Sequence, residues 1–136
     1  MAVGTAYVRN TMPAADVPAA HEALLRRMYA VFSTEERDAF IPRSLAPDVD
    51  WPNLLDNTRA RGIPAVRAYW ARQFAVMHPL VHLERLRLDD DGRRVVATVR
   101  PGLRDGTGDH WAPTTVEHVY TFRDDGLVSR MDVRQP

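Results

Sequence analysis

Apolar residues recur at two different periods along the chain, and the change from one to the other divides it. Leu25, Met28, Tyr29 and Phe32 repeat at the three-and-four spacing of a helix. With Asp16 as cap and Pro18 in the first turn, this predicts helix 1 over residues 17–32. Ser33 and Glu36 stand at capping-box spacing and start a shorter second helix with Ala39, Phe40 and Leu45, which Pro42 should end or kink. Val49, Asp50 and Trp51 alternate before Pro52, a short strand closed by a proline. Residues 53–62 read as loop, and Pro64 opens a third helix, 64–77, with the stripe Val66, Tyr69, Trp70 and Phe74.

Beyond Pro79 the period falls to two. Strands are expected at 81–88, 93–100, 114–123 and 127–134. The turns between them are Asp89-Asp90-Asp91-Gly92, Asp105-Gly106-Thr107-Gly108 and Asp124-Asp125-Gly126. Pro101-Gly102 should break or bulge the second of these strands. Helices first and a meander of strands afterwards predict an α+β fold with the helices on one face of a curved sheet. The first 15 residues read as a loose arm and 16–136 as one domain, which suits 136 residues.

The last hairpin fixes which side chains share a face. A three-residue loop with Gly126 in the left-handed conformation pairs Arg123 with Leu127 and Phe122 with Val128. Counting back by twos sets Tyr120 opposite Arg130, His118 opposite Asp132 and Val116 opposite Arg134. Thr121 with Ser129, and Val119 with Met131, fall on the other face. If Phe122 and Val128 point at the helices, a phenol, a guanidinium, an imidazole and a carboxylate line the inner wall. Each would cost about 1–3 kcal/mol if buried unpaired, and the charges more, so a wet or ligand-filled cavity is expected. There Asp132 would orient His118 and raise its pKa. On a solvent-facing surface the same pairs would be ordinary ion pairs. A register slip of one residue would dissolve the column.

Composition narrows the chemistry. Eighteen basic residues balance eighteen acidic ones, which argues against nucleic-acid and anionic-membrane partners. All eighteen basic residues are Arg, so neither a Schiff base nor a phosphate-loop lysine is available. There is no Cys, hence no disulfide, thiolate nucleophile or zinc-thiolate site. Five scattered His without metal-binding spacing give no case for a metal, and no cofactor is called for. His78 and His82 read as surface residues. Arg59 and Arg61 could steer an anionic substrate or simply be solvated. With neither a secretory apolar run nor a membrane-length one, a cytoplasmic location is the expectation.

Three runs in order carry a family resemblance: Ala46-Pro47-Asp48-Val49-Asp50-Trp51-Pro52, then Gly62-Ile63-Pro64-Ala65-Val66-Arg67-Ala68-Tyr69-Trp70, then His118 through Val128. Over residues 17–134 the chain resembles the nuclear transport factor 2-like superfamily, most closely its SnoaL-like branch. The resemblance implies a cone-shaped α+β fold, three helices closing over a strongly curved, mixed, mostly antiparallel sheet, with a pocket at the wide end and Phe122 facing inward. SnoaL-like polyketide cyclases are similar in placing a His on the penultimate strand and an Asp on the last, which His118 and Asp132 match. Related steroid isomerases carry their base immediately before the first-strand proline, where this chain has Trp51, with Asp50 one residue off on the opposite face. Their helix-1 phenol is likewise displaced by one, at Tyr29.

The resulting expectation is an acid–base enzyme in which His118 and Asp132 move a proton next to a carbonyl. Tyr120 and Arg130 would hold the enolate oxygen, and Trp51, Tyr29, Trp70 and Phe122 would contact the substrate, a small hydrophobic or carbonyl-containing molecule. Cyclisation, isomerisation, dehydration and epoxide opening all fit. The alternative is a non-catalytic ligand-binding or dimerisation module. A homodimer is expected, and in the second reading Val119, Thr121, Met131 and Val133 on the outer face could be its seam.

Overall fold

A computed structural model describes residues 16–136; the expected arm at 1–15 lies outside the described residues. The described residues form three helices and seven strands. Helix α1 (Ala19–Phe32) buries Leu25, Met28 and Val31 along one stripe, while Pro18 precedes it without a side-chain cap. The expected capping box does not form. Ser33 instead ends α1 and donates from Oγ to the Pro79 carbonyl, and α2 (Arg37–Ser44) starts after Glu36. Pro42 sits inside α2. It lacks the N–H that would bond the Asp38 carbonyl, and Arg67 Nη2 donates to that oxygen at 3.3 Å. Leu45, expected on the helix, is already the first residue of β1 (Leu45–Asn53).

The loop expected at 53–62 is the tip of a hairpin. Asn57, at φ 52°, lets the chain turn, and β2 (Thr58–Arg61) pairs antiparallel with β1, Trp51 opposite Ala60. Helix α3 (Ile63–Val76) follows, burying Val66, Tyr69 and Trp70. Strands β3 (His78–Leu88) and β4 (Val95–Asp105) make the longest pairing. Contrary to expectation, β4 runs straight through Pro101-Gly102, and the irregularity lies in β3 between Leu83 and Arg85. An unexpected short strand, β5 (Gly108–Trp111), pairs with the far end of β4. Trp111 stands opposite Gly102, so close that a Cβ on residue 102 would lie 2.7 Å from the indole Cε3 and 2.8 Å from the His110 carbonyl oxygen. Only glycine admits that approach.

Strands β6 (Val116–Phe122) and β7 (Val128–Arg134) complete a mixed, mostly antiparallel, unclosed curved sheet in the order β2-β1-β7-β6-β4-β3, with β5 on β4. Its one parallel contact joins β1 to β7. The three helices cover one face. Their stripes meet Val49, Trp51, Val95, Ala97, Val99, Tyr120, Val128 and Met131 in one apolar core. No helix among the described residues is long and apolar enough to cross a membrane.

The final hairpin corrects the expected register. Its turn is the one foreseen: Arg123 N–H donates to the Leu127 carbonyl at 2.8 Å, Gly126 has φ 87°, and Phe122 pairs with Val128. One residue later the ladder slips. Thr121 pairs with Arg130, Tyr120 with Met131, Val119 with Asp132 and His118 with Val133, so Ser129 is an extra residue on β7. Ser129 Oγ donates to the Thr121 carbonyl at 3.2 Å. The bulge leaves the facing of β6 as expected and inverts β7. Met131 and Val133 turn inward, Arg130 and Asp132 outward.

Candidate functional site

A cavity of about 540 Å³ lies between the helices and the inner face of the sheet. Tyr29 of α1, Trp51 of β1, Trp70 of α3, His118 and Tyr120 of β6, and Met131 of β7 all reach its wall. Leu54, Met77, Leu103 and Trp111 line it too and are exposed, forming an apolar rim at its mouth. Among the described residues, no Asp, Glu or Arg side chain lines it. A neutral ligand suits such a wall, because a charged one would lose its hydration without gaining a counter-charge.

Three of its polar side chains are connected, while Tyr69, Gln73 and His110 reach the wall apart from them. Tyr29 Oη lies 2.7 Å from His118 Nδ1 and 2.5 Å from Tyr120 Oη, so the helix phenol bridges two side chains that alternate along β6. Aromatic edges hold this group. Tyr29 and Tyr120 meet at 86° with centroids 6.3 Å apart, and Trp51 meets Trp70 at 88° and 5.6 Å. His118 Nε2 has no protein hydrogen-bond partner among the described residues and is not sealed off, which leaves it to an occupant of the cavity. Burial pushes the imidazole pKa down to about 4. Burial also raises Tyr29 well above the usual phenol value, with Tyr120 adding to the rise, and raises Tyr120 despite its hydrogen bond with Tyr29. All three groups are therefore neutral near pH 7.

Asp132 and Arg130 are absent from this site. On the outer face, Arg130 donates from Nε to Asp132 Oδ2 at 2.8 Å and from Nη1 to Asp50 Oδ2 at 2.8 Å. Arg59 joins them, from Nε to Asp50 Oδ1 at 2.7 Å and from Nη1 to Asp132 Oδ1 at 3.3 Å. Arg59 Nη2 also donates to the Met131 carbonyl at 2.8 Å. Burial pushes the Asp50 carboxyl up, but Arg59, Arg130 and Arg61 outweigh it and hold the pKa below the ordinary value. The expected pairing of His118 with Asp132 is thus replaced by pairing with Tyr29, and the Arg59 guanidinium braces the sheet instead of guarding a pocket mouth.

Other expectations are corrected by the same geometry. Phe122 faces the helices but lies outside the cavity wall, stacked on His21 with centroids 3.8 Å apart. The proposed outer seam loses Met131 and Val133 to the cavity, and Val119 is already buried at 2% exposure. His78, expected at the surface, is half-buried edge-on to Phe74 with Nε2 enclosed and unpartnered. His82 is exposed as expected. Sequence reasoning missed the rim residues and the inward turn of Met131 and Val133. The alternation that would have revealed the latter is broken by Ser129.

Residues 25–131 match the family model of the SnoaL-like domain. No curated protein matches the chain. Among solved structures, TerC co-crystallised with polyporic acid superposes with a TM-score of 0.69 at 19% identity, over 87% of this chain and 92% of TerC. An NTF2-like protein of unknown function from Burkholderia pseudomallei K96243 gives 0.68 at 18% identity, over 88% of this chain and 92% of that one. SalBIII, an epoxide hydrolase/cyclase-like enzyme of pyran ring formation in the polyether salinomycin, gives 0.66 at 13% identity, over 85% and 90%. These likenesses agree with the helices-over-curved-sheet fold, and the family match spans most of the domain: the chain belongs to the SnoaL-like family.

Proposed function

We propose that the chain is an acid–base enzyme acting on an uncharged, apolar molecule that carries a carbonyl, with His118 as the proton acceptor and Tyr120, hydrogen-bonded to Tyr29, as the donor to the oxygen. The observation that supports this reading is the linked imidazole and phenol pair at the wall of a cavity that, among the described residues, no Asp, Glu or Arg side chain lines. A free Nε2 lone pair can take a proton from the carbon next to a carbonyl. Hydrogen bonds from phenols stabilise the oxygen as negative charge develops, and they act more strongly where water is excluded. Reactions that begin in this way, such as aldol ring closure and isomerisation, suit the site best. The carboxylate partner expected from sequence has no part in it.

2-Tetralone is a suitable probe: planar, uncharged and acidic next to its carbonyl. Its α-proton signal in D2O buffer at neutral pD is expected to fade faster with the wild-type protein, and His118→Ala should remove on the order of 100-fold of that acceleration. Binding of 2-tetralone with no acceleration of exchange would show a ligand-binding module and overturn the enzymatic reading.

A further inference from the structure

Tyr120, Tyr29 and His118 form a single chain of hydrogen bonds with Tyr29 in the middle. A phenol has one proton to donate, and when Tyr29 donates it within the chain two polarities result. In the first, Tyr120 donates to Tyr29, Tyr29 donates to Nδ1, and the imidazole proton sits on Nε2. In the second, Nδ1–H donates to Tyr29 and Tyr29 donates to Tyr120. That leaves Nε2 a lone pair and the Tyr120 hydroxyl free to donate into the cavity.

Resting on the acid–base reading above, we infer that Tyr29 is a positioning residue that couples the base at His118 Nε2 to the acid at Tyr120 Oη, so that substrate enolises without either group becoming charged. The protons balance. The substrate C–H bond breaks, its electron pair becomes the C=C bond, and the proton goes to Nε2. The Nδ1 proton passes to Tyr29, the Tyr29 proton to Tyr120, and the Tyr120 proton to the substrate oxygen, which leaves as an enol hydroxyl. The chain ends in its first polarity, and the reverse sequence restores the second. Burial opposes both an imidazolium at 118 and a phenolate at 29 or 120, and this route creates neither. It also explains how an imidazole works here with no carboxylate behind it. The compensating proton leaves through Nδ1 as one arrives at Nε2.

The test uses the intact protein with 15N-labelled histidine and two probes of one shape. 2-Tetralone offers a carbonyl that accepts from Tyr120, and 2-naphthol offers an enol-like hydroxyl that donates to it. Long-range 1H–15N spectra should place the His118 proton on Nδ1 with 2-tetralone and on Nε2 with 2-naphthol. In Tyr29→Phe, with its fold checked by thermal melting, the tautomer should no longer follow the probe. α-Proton exchange should fall about as far as in His118→Ala, on the order of 100-fold, with the two losses overlapping instead of multiplying in the double variant. A wild-type tautomer indifferent to the probe, or a Tyr29→Phe protein that still switches, would overturn the coupling. A switch without any exchange would count for the coupling and against the acid–base reading, which separates the two failures.

Discussion

On the inner face of the sheet, His118 and Tyr120 look into a space walled by aromatic and aliphatic side chains. One residue along the same strand, Glu117 stands on the outer face between two arginines, Arg134 Nε at 2.7 Å and Arg87 Nη2 at 3.0 Å. On the same face of β7, Arg130 and Asp132 extend the ladder to Asp50 and Arg59. The inner face thus keeps titratable groups neutral by burial, while the outer face keeps them ionised by pairing. Both are legitimate ways to place polar groups on a sheet, and they differ in what a ligand meets. The ion pairs are saturated and have little left to offer. Among the described residues, Tyr29, Tyr120 and His118 are bonded only to one another, which leaves Nε2 unclaimed.

The partition depends on Ser129, and its removal should produce the largest effect. Deleting Ser129 would restore strict alternation on β7, forcing Arg130 and Asp132 into the apolar interior and exposing Met131 and Val133. A charge moved inside without its partner costs several kcal/mol, comparable with a small domain's whole stability. The deletion variant is expected to lose its cooperative melt by circular dichroism; a normal melt would mean that the bulge is incidental.

The two faces should next part in their response to acid. The His118 pKa is lowered from 6.5 to about 4 in the folded protein. Between those values the unfolded chain binds the extra proton, so the stability from this group is complete above pH 6.5, is lost as pH falls towards 4, and changes no further below it. The loss accumulated between those pH values is about 3 kcal/mol by the usual conversion. The carboxylates of Asp50 and Glu117 are shifted down, so their contribution is present above their ordinary values of 3.8 and 4.5 and is lost only as pH falls further. Urea titrations of wild type and His118→Gln should therefore diverge in slope between pH 6.5 and 4 and run parallel below. Parallel curves throughout would contradict the buried, neutral imidazole.

Asp50→Asn is the milder test of the outer face. It weakens bonds to Arg59 and Arg130, but both arginines keep Asp132 and are partly solvated, so the cost should be about 1–2 kcal/mol, decreasing in high salt. The same variant should leave binding of 2-tetralone unchanged, since Asp50 does not line the cavity. A loss of binding would mean that the two faces are coupled through β1.

Much of this arrangement is legible in the residues. The helical stripe of Leu25, Met28 and Phe32 and the paired strands around Asp-Gly turns follow from periodicity; that His118 and Tyr120 share a face follows from it too, while the inward direction of that face rests on the family resemblance. Three features are not legible, each for a physical reason. Ser129 is chemically ordinary, so nothing in a sequence marks it as the unpaired residue of a bulge. Pro101 looks like a strand breaker, but its carbonyl still accepts from Ala112 N–H at 2.9 Å, and the strand continues. The bond from Tyr29 to His118 joins residues 89 positions apart, a distance that only the folded chain closes.

The contact between Trp111 and Gly102 has an evolutionary consequence. With the indole and the neighbouring carbonyl occupying the room a side chain would need, neither position is free to drift alone. Any residue larger than glycine at 102 demands a smaller partner or a shifted β5, so the two sites should be inherited as a matched pair, and the rim they build should change shape between lineages in steps, not by degrees.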